Sequence, residues 1–360
     1  SIVIFNFGIF QGGNRLLVLN QLRERAKSYY GALLISFFLL FSFMSICLLF
    51  FGLFDANLEE KGLNKIFIYM LPFGWLFLMT KFYDSLLPAD NKINQLAACR
   101  FLIVFGHLLF YVIAYCLFED PSFGKLEIIL VGYLIANLIV FIYLISVLKP
   151  NLTYLSKNIR KVYIETKNFG FNVYLGGLIG VGITHLTGLI ISYYSSGNEG
   201  VGFYALAVAF STPLKLIPNT IGTTYYKEFT TITSIPRKKV LVTLIISVCS
   251  LLLLWLIIHP FVQYFYGKEF FSVIKLTMIC SIGILFYGIA DFYNRFLGAQ
   301  GKGAYLRNGA FIVGIGMLSA NLLLIPFYFE LGAVVAFLIS GLLYFMSMYF
   351  YYLKTVKETR

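Results

Sequence analysis

Charge is scarce in this chain. Of its 360 residues only 12% are charged, while 59% are hydrophobic; an ordinary soluble domain carries roughly 25% charged residues. No polar stretch is long enough to fold as a soluble domain of its own. The five cysteines, Cys47, Cys99, Cys116, Cys249 and Cys280, all lie in apolar segments and none stands in a Cys-x-x-Cys pair, so neither a disulfide framework nor a metal site is expected. No glycine-rich loop ends in Lys-Ser or Lys-Thr, which excludes an ATPase within the chain. No nucleophile and base stand in a recognisable constellation, and no cofactor is implied. Acidic residues are the scarcer sign, 16 against 28 Lys and Arg, for a net charge of +12. On a membrane protein that excess speaks to topology and to anionic lipid head groups as partners, and not to nucleic acid.

What is abundant is apolar length. Read with a window of about 19 residues, eleven apolar segments emerge, near 1–19, 29–54, 65–87, 96–118, 126–148, 172–192, 202–226, 240–262, 273–297, 308–326 and 332–353. The chain reads as an all-α, multi-pass membrane protein. Its longest connection divides it into an N-terminal bundle, 1–148, a basic linker, 149–171, a C-terminal bundle, 172–353, and a tail, 354–360. Taken alternately, the connections 20–28, 81–100, 149–167, 227–239, 295–307 and the tail hold 21 Lys and Arg, and the opposite set holds five. The rich side, with the C-terminus, is then cytoplasmic. Five segments before the linker and six after it, with no initiator methionine, lead to the expectation of a further helix before Ser1 and a six-plus-six whole, a balance common among transporters. The linker, with Lys149, Lys157, Arg160, Lys161 and Lys167, reads as an amphipathic helix on the membrane surface or as a solvated tether.

The chemistry concentrates in VGFYALAVAFSTPLKLIPNTIGTTYYKEF, residues 201–229. Lys215 sits near the middle of a bilayer-length segment, where insertion costs about 2.5–3.5 kcal/mol. Tyr204, Ser211, Lys215, Asn219, Gly222 and Tyr226 recur at helical spacing as a polar stripe, opposite Phe203, Phe210, Leu214, Ile217 and Ile221. The polar stripe reads as the wall of a wet cavity; the alternative is a lysine paired inside the bundle for structural reasons. Pro213 and Pro218 bracket it and interrupt the backbone ladder.

Other polar groups inside the segments are few. Arg15 follows Gly8 and Gln11 on one helical face. Lys81 with Asp84, and Asp291 with Arg295, are spaced as helical ion pairs for a structural or gating role. His107 and His185 fall near mid-segment, suited to packing or to proton transfer, and Asn137, Asn294 and Asn321 to interhelical hydrogen bonds. Gly176, Gly177, Gly180, Gly182 and Gly188, with Gly8 and Gly12, point to close helix packing or, alternatively, to a mobile cavity wall.

The stretch from Val201 resembles the eighth helix of the polysaccharide (Wzx-type) flippases, with its V-G-x-Y-x-L-A start, proline-containing run and basic exit. FYGKEF at 265–270 is similar to that family's outer-loop motif, and NLLLIPFYFELGAVVAF at 321–337 to its final hairpin. Arg15 falls where the second helix of such proteins often carries a basic residue. The resemblance implies the multidrug/oligosaccharidyl-lipid/polysaccharide (MOP) superfamily, a MATE-like fold of two helix bundles around a central cavity. It also implies a bacterial inner-membrane location and the transfer of undecaprenyl-diphosphate-linked oligosaccharide between leaflets. Lys215, Arg15, Arg295, Asn219 and His185 are the candidate contacts to that cargo, with a proton or sodium ion as possible coupling partner. The rivals are an ion-coupled small-molecule antiporter, which should carry buried carboxylates, and an O-antigen polymerase or membrane glycosyltransferase, which the short outer loops disfavour.

Overall fold

The structure, a computed structural model, describes residues 5–20, 23–54, 71–117, 125–195 and 199–359, and these residues are helical almost throughout. They divide into two compact units, Ser1–Phe171 and Asn172–Arg360. Eight described helices are long and apolar enough to cross a membrane. Two expected segments, 1–19 and 65–87, fall partly outside the described residues and contribute the shorter helices α1 (Ile9–Leu19) and α3 (Gly74–Ala89). The helices expose rows of large apolar side chains, such as Ile46, Phe50, Leu256 and Ile315. Such surface is stable against lipid and would aggregate in water.

In the first unit, α1 packs on α2 (Arg23–Phe54) and α3, while α4 (Ile93–Leu117) pairs with α5 (Lys125–Leu148). Phe10, Phe37 and Phe82 lock the first three helices together, with Phe10 and Phe82 edge to face at 5.6 Å. The basic stretch forms helix α6 (Leu155–Glu165), which runs through a π-helical turn, Thr166–Gly170, into α7 (Phe171–Tyr194). It is no free tether: α6 and the π turn pack on α1 and α2 and bury Asn158, Val162, Thr166 and Phe169. Glycine makes that contact possible. Gly8, at φ 78°, and Gly170 meet backbone to backbone, and a Cβ on Gly170 would stand 2.2 Å from the Gly8 carbonyl oxygen.

In the second unit α11 (Phe271–Ala299) is the axis. Of its membrane span, 61% is buried, against 17–33% for the other spans. α8 (Glu199–Ser211), α9 (Pro213–Thr224), α10 (Arg237–Phe265) and α12 (Gly303–Thr359) pack around it. α12 holds two of the expected segments as two legs that reverse at Phe329, whose φ/ψ of 49°/−126° is not helical. The legs lie antiparallel, Gly309 against Met348 and Gly316 against Leu343. Gln300 donates to the carbonyls of Phe229 (2.7 Å) and Ile232 (2.9 Å), and Lys302 pairs with Glu358. These contacts gather the basic connections 227–239 and 300–302 and the tail at one end of the unit. Glu199, Lys268, Glu269 and Glu330 belong to the other end, where Gly200 approaches Glu330 and Phe203 meets Phe270.

Candidate functional site

Proline decides where the eighth and ninth helices divide. Pro213 opens α9 and has no amide hydrogen to continue the ladder from α8; Pro218 removes a second donor one turn beyond Lys215. The stripe of Tyr204, Ser211, Gly222 and Tyr226 is buried, with Lys215 and Asn219 half-buried between them. It faces α11. Small residues on both helices bring the backbones together. A Cβ on Gly288 would lie 3.2 Å from the Lys215 Cα and 3.0 Å from the Pro218 ring, and one on Gly222 would lie 3.1 Å from the Arg295 side chain. Gly288 stands three residues before Asp291 on the same face of α11, so the approach it permits sets Lys215 beside that carboxylate. The opposite stripe, which could face lipid or packed protein, is in contact with protein: Leu214 is buried and Phe203, Phe210, Ile217 and Ile221 are half-buried, while the exposed positions of α9 are Pro213, Leu216, Thr220 and Thr224.

Lys215 Nζ lies 3.1 Å from Asp291 Oδ2 and 5.5 Å above the Tyr287 ring. Tyr344, from the second leg of α12, donates to Asp291 Oδ1 at 3.0 Å, and Asn294 donates to the Tyr344 hydroxyl at 2.9 Å. Asn219 donates to Asp291 Oδ2 and accepts from Arg295 Nη2, both at 3.4 Å. Tyr287 is fixed by a 2.9 Å bond to Ser340. Lys215, Asp291, Tyr287, Asn294 and Tyr344 face a cavity of about 670 Å³ wholly within the second unit. Its far wall is α7 at Gly176, Gly177 and Gly180 and the first leg of α12. The Lys215 side chain is 40% exposed and that of Asp291 only 16%, so the ammonium faces the open space and the carboxylate stands behind it.

The expected in-helix ion pairs are corrected. Asp291 pairs with Lys215 and not with Arg295, whose guanidinium is taken by Asn219. Asp84 pairs with Arg100 at 2.8 Å, across the turn to α4, and not with Lys81. A pair within one exposed helix is worth only about 0.3–0.5 kcal/mol, so tertiary neighbours override it. Arg15 is half-buried on α1 in the first unit. His185 lies on α7, its side chain outside what the structure describes. Asn321 and Asn294 bond across helices, to Thr187 (2.7 Å) and Tyr344, but Asn137 turns back to the Tyr133 carbonyl of its own helix. Gly176 packs against Ala310, whereas a Cβ on Gly180 would meet nothing within 4 Å, so α7 is in part a cavity wall and not only a packing face. Tyr287 and Tyr344 were not singled out from sequence, and Asn294 was expected only as an interhelical hydrogen-bonder, not as part of the Lys215 site. Tyr287 and Asn294 stand four before and three after Asp291, a helical face that was readable; Tyr344, among the many tyrosines of α12, carried no such signal.

No family model matches the chain, and no curated protein matches it. Among solved structures it is similar to the Vibrio cholerae MATE transporter VcmN in its bent form, at 13% identity over 99% of this chain and 86% of the other, with a TM-score of 0.71. An outward-facing multidrug resistance MATE family transporter of the MOP superfamily matches all of this chain and 86% of its own, at 10% identity and a TM-score of 0.73. The lipid II flippase MurJ, in an inward closed conformation, matches 99% of this chain and 83% of its own, at 17% identity and a TM-score of 0.58. The likeness is one of fold: this is an all-helical, multi-pass membrane protein with a MATE-like arrangement of helices.

Proposed function

We propose that this chain is a transporter that moves undecaprenyl-diphosphate-linked oligosaccharide from the cytoplasmic to the outer leaflet of a bacterial inner membrane. Its C-terminus is cytoplasmic, as the excess of basic residues on alternate connections favours. The observation that carries the reading is Lys215: an ammonium within a bilayer-length apolar stretch, turned into a cavity of about 670 Å³ and balanced by one carboxylate. A diphosphate entering that space is a stronger partner for an ammonium than a single carboxylate. Arg295, held behind Asn219, adds a second positive charge against the single charge of Asp291. Asp291 then holds the lysine in place when no cargo is present. Similarity in fold to a lipid II flippase supports the same class of cargo.

A second reading, an ion-coupled small-molecule antiporter, is favoured by Asp291 itself. A carboxylate on a cavity wall, bonded to Tyr344 and Asn219, suits proton or sodium coupling, and the fold is shared with MATE transporters. The test is flipping of a fluorescent undecaprenyl-diphosphate sugar in proteoliposomes, with membrane abundance measured alongside. Lys215→Ala should abolish flipping and also lower abundance, because Asp291 loses its counter-charge. Lys215→Ala with Asp291→Asn should restore abundance and not flipping. Lys215→Arg should retain part of the activity. Full flipping by the abundance-restored double variant would remove the lysine from the mechanism. Ion-driven efflux of a small cation by the wild type, with no flipping, would favour the antiporter.

A further inference from the structure

The first unit carries a second polar concavity, away from its apolar core and unrelated to Lys215. It has a volume of about 400 Å³ and lies between the N-terminal turns of α2 and the strap of residues 151–161. Three cations line it: Arg25, Lys157 and Lys161. Among the described residues none of the three makes an ion pair, and no carboxylate lines the pocket. Its floor is fixed. Asn158 donates to Ser28 Oγ and, at 3.3 Å, to the Thr153 carbonyl; Ser28 donates to the same carbonyl at 3.1 Å. The amide of Asn151 donates to the Lys27 carbonyl at 2.9 Å, pinning the strap to α2. Lys161 Nζ reaches the hydroxyl of buried Tyr29 at 3.4 Å, which orders the ammonium at the wall. Tyr154, in the left-handed region at φ 55°, is 79% exposed at the mouth.

Three unpaired cations around a pre-ordered concavity repel one another unless an anion joins them, and a phosphate offers several acceptor oxygens at once. The pocket sits at the end of the unit where the first turns of α2 meet the α3–α4 and α5–α6 connections, since Tyr30 bonds Asp90 and Asn151 bonds Lys27. That is head-group depth for the adjoining membrane helices, and an exposed aromatic at the mouth suits the same interface. We infer that this pocket binds a phosphate-bearing anion, either the head group of an anionic lipid or a soluble polyphosphate. The inference does not rest on the transport reading.

The test uses the full chain in detergent. Retention of phosphatidylglycerol against phosphatidylcholine is measured by native mass spectrometry, and binding of inorganic pyrophosphate by calorimetry. The pocket variant is Arg25→Gln/Lys157→Gln/Lys161→Gln, three exposed positions. The control, Lys227→Gln/Arg237→Gln/Lys238→Gln, removes the same charge in the second unit. The expected result is preferential retention of phosphatidylglycerol or binding of pyrophosphate by the wild type, weakened roughly tenfold or more in the pocket variant and little in the control. Phosphatidylglycerol alone would identify a lipid head group as the occupant, and pyrophosphate a soluble polyphosphate. If neither binds, or if both variants lose binding equally while eluting as folded monodisperse protein, the pocket is not a site.

Discussion

The contact between α1 and the π turn in the first unit and helix α7 in the second use glycine and charge in opposite ways. In the first, glycine closes space: Gly8, Gly12 and Gly170 let α1 and the π turn touch at backbone distance, and a Cβ on Gly12 would stand 2.5 Å from the Thr166 hydroxyl. Its unpaired cations Arg25, Lys157 and Lys161 gather at one end, around the strap. In the second, glycine on α7 leaves space open, and a lysine–aspartate pair faces that space in the middle of the helices. Where backbones are in contact a methyl group has nowhere to go. Where a cavity adjoins, the same methyl group is free. Glycine-rich membrane helices therefore cannot be read as packing motifs until the partner is known.

Gly170 is where a single methyl group should do the most damage. Gly170→Ala places a Cβ 2.2 Å from a backbone oxygen that cannot rotate away, and that oxygen already accepts from Gly12 at 2.9 Å. The expected loss is roughly 3 kcal/mol, the upper range for overpacking a tight site. It should appear as a fall in thermal midpoint of the purified protein and in membrane abundance. An unchanged midpoint would mean that α1 and the π turn are not held together as described.

Much of this was legible beforehand. The apolar segments within the described residues and the polar stripe through Lys215, with the two prolines around it, were readable from local pattern and are helical in the structure, whose two compact units meet after residue 171. The partners did not follow. Asp291 and Arg295, four apart, look like a pair, and so do Lys81 and Asp84. Yet a half-buried carboxylate is claimed by whichever cations and hydroxyls the tertiary fold delivers. Lys215 and Tyr344 arrive from other helices, and Arg100 crosses a turn. Sequence spacing sees only neighbours on the same helix. The pocket under the strap was invisible for the same reason: its cations were counted for topology, while the fold of α6 onto α2 makes them converge.

A smaller effect sharpens the contrast in charge. Asp291→Ala leaves Lys215 without its counter-charge beside the cavity. Breaking a fully buried pair costs about 3–5 kcal/mol, and exposure of the lysine to the cavity reduces this to about 1–2 kcal/mol. Asp84→Ala in the first unit frees an Arg100 whose side chain is 55% exposed, for which about 0–1 kcal/mol is expected. Thermal midpoints of the two variants should therefore differ, Asp291→Ala being lower. Equal midpoints would show that the pair in the second unit is solvated as fully as a surface pair.

The smallest expected effect on stability carries the sharpest functional question. A Cβ at Gly180 meets nothing within 4 Å, and the residue lines the cavity across from Lys215. Gly180→Ala should leave the thermal midpoint unchanged or raise it by the equivalent of up to about 1 kcal/mol, since alanine loses less backbone entropy in a helix. Gly180→Leu should also fold, because its side chain extends into open space. If the cavity is the route of the cargo, alanine should cost little transport and leucine most of it, by occupying space in front of the ammonium. Stability and transport would then separate cleanly, which Gly170→Ala cannot achieve. Full transport by Gly180→Leu at normal abundance would place the cargo elsewhere and reduce the cavity to a gap between helices. A leucine variant that falls in abundance like Gly170→Ala would instead return α7 to the packing role that its glycines first suggested.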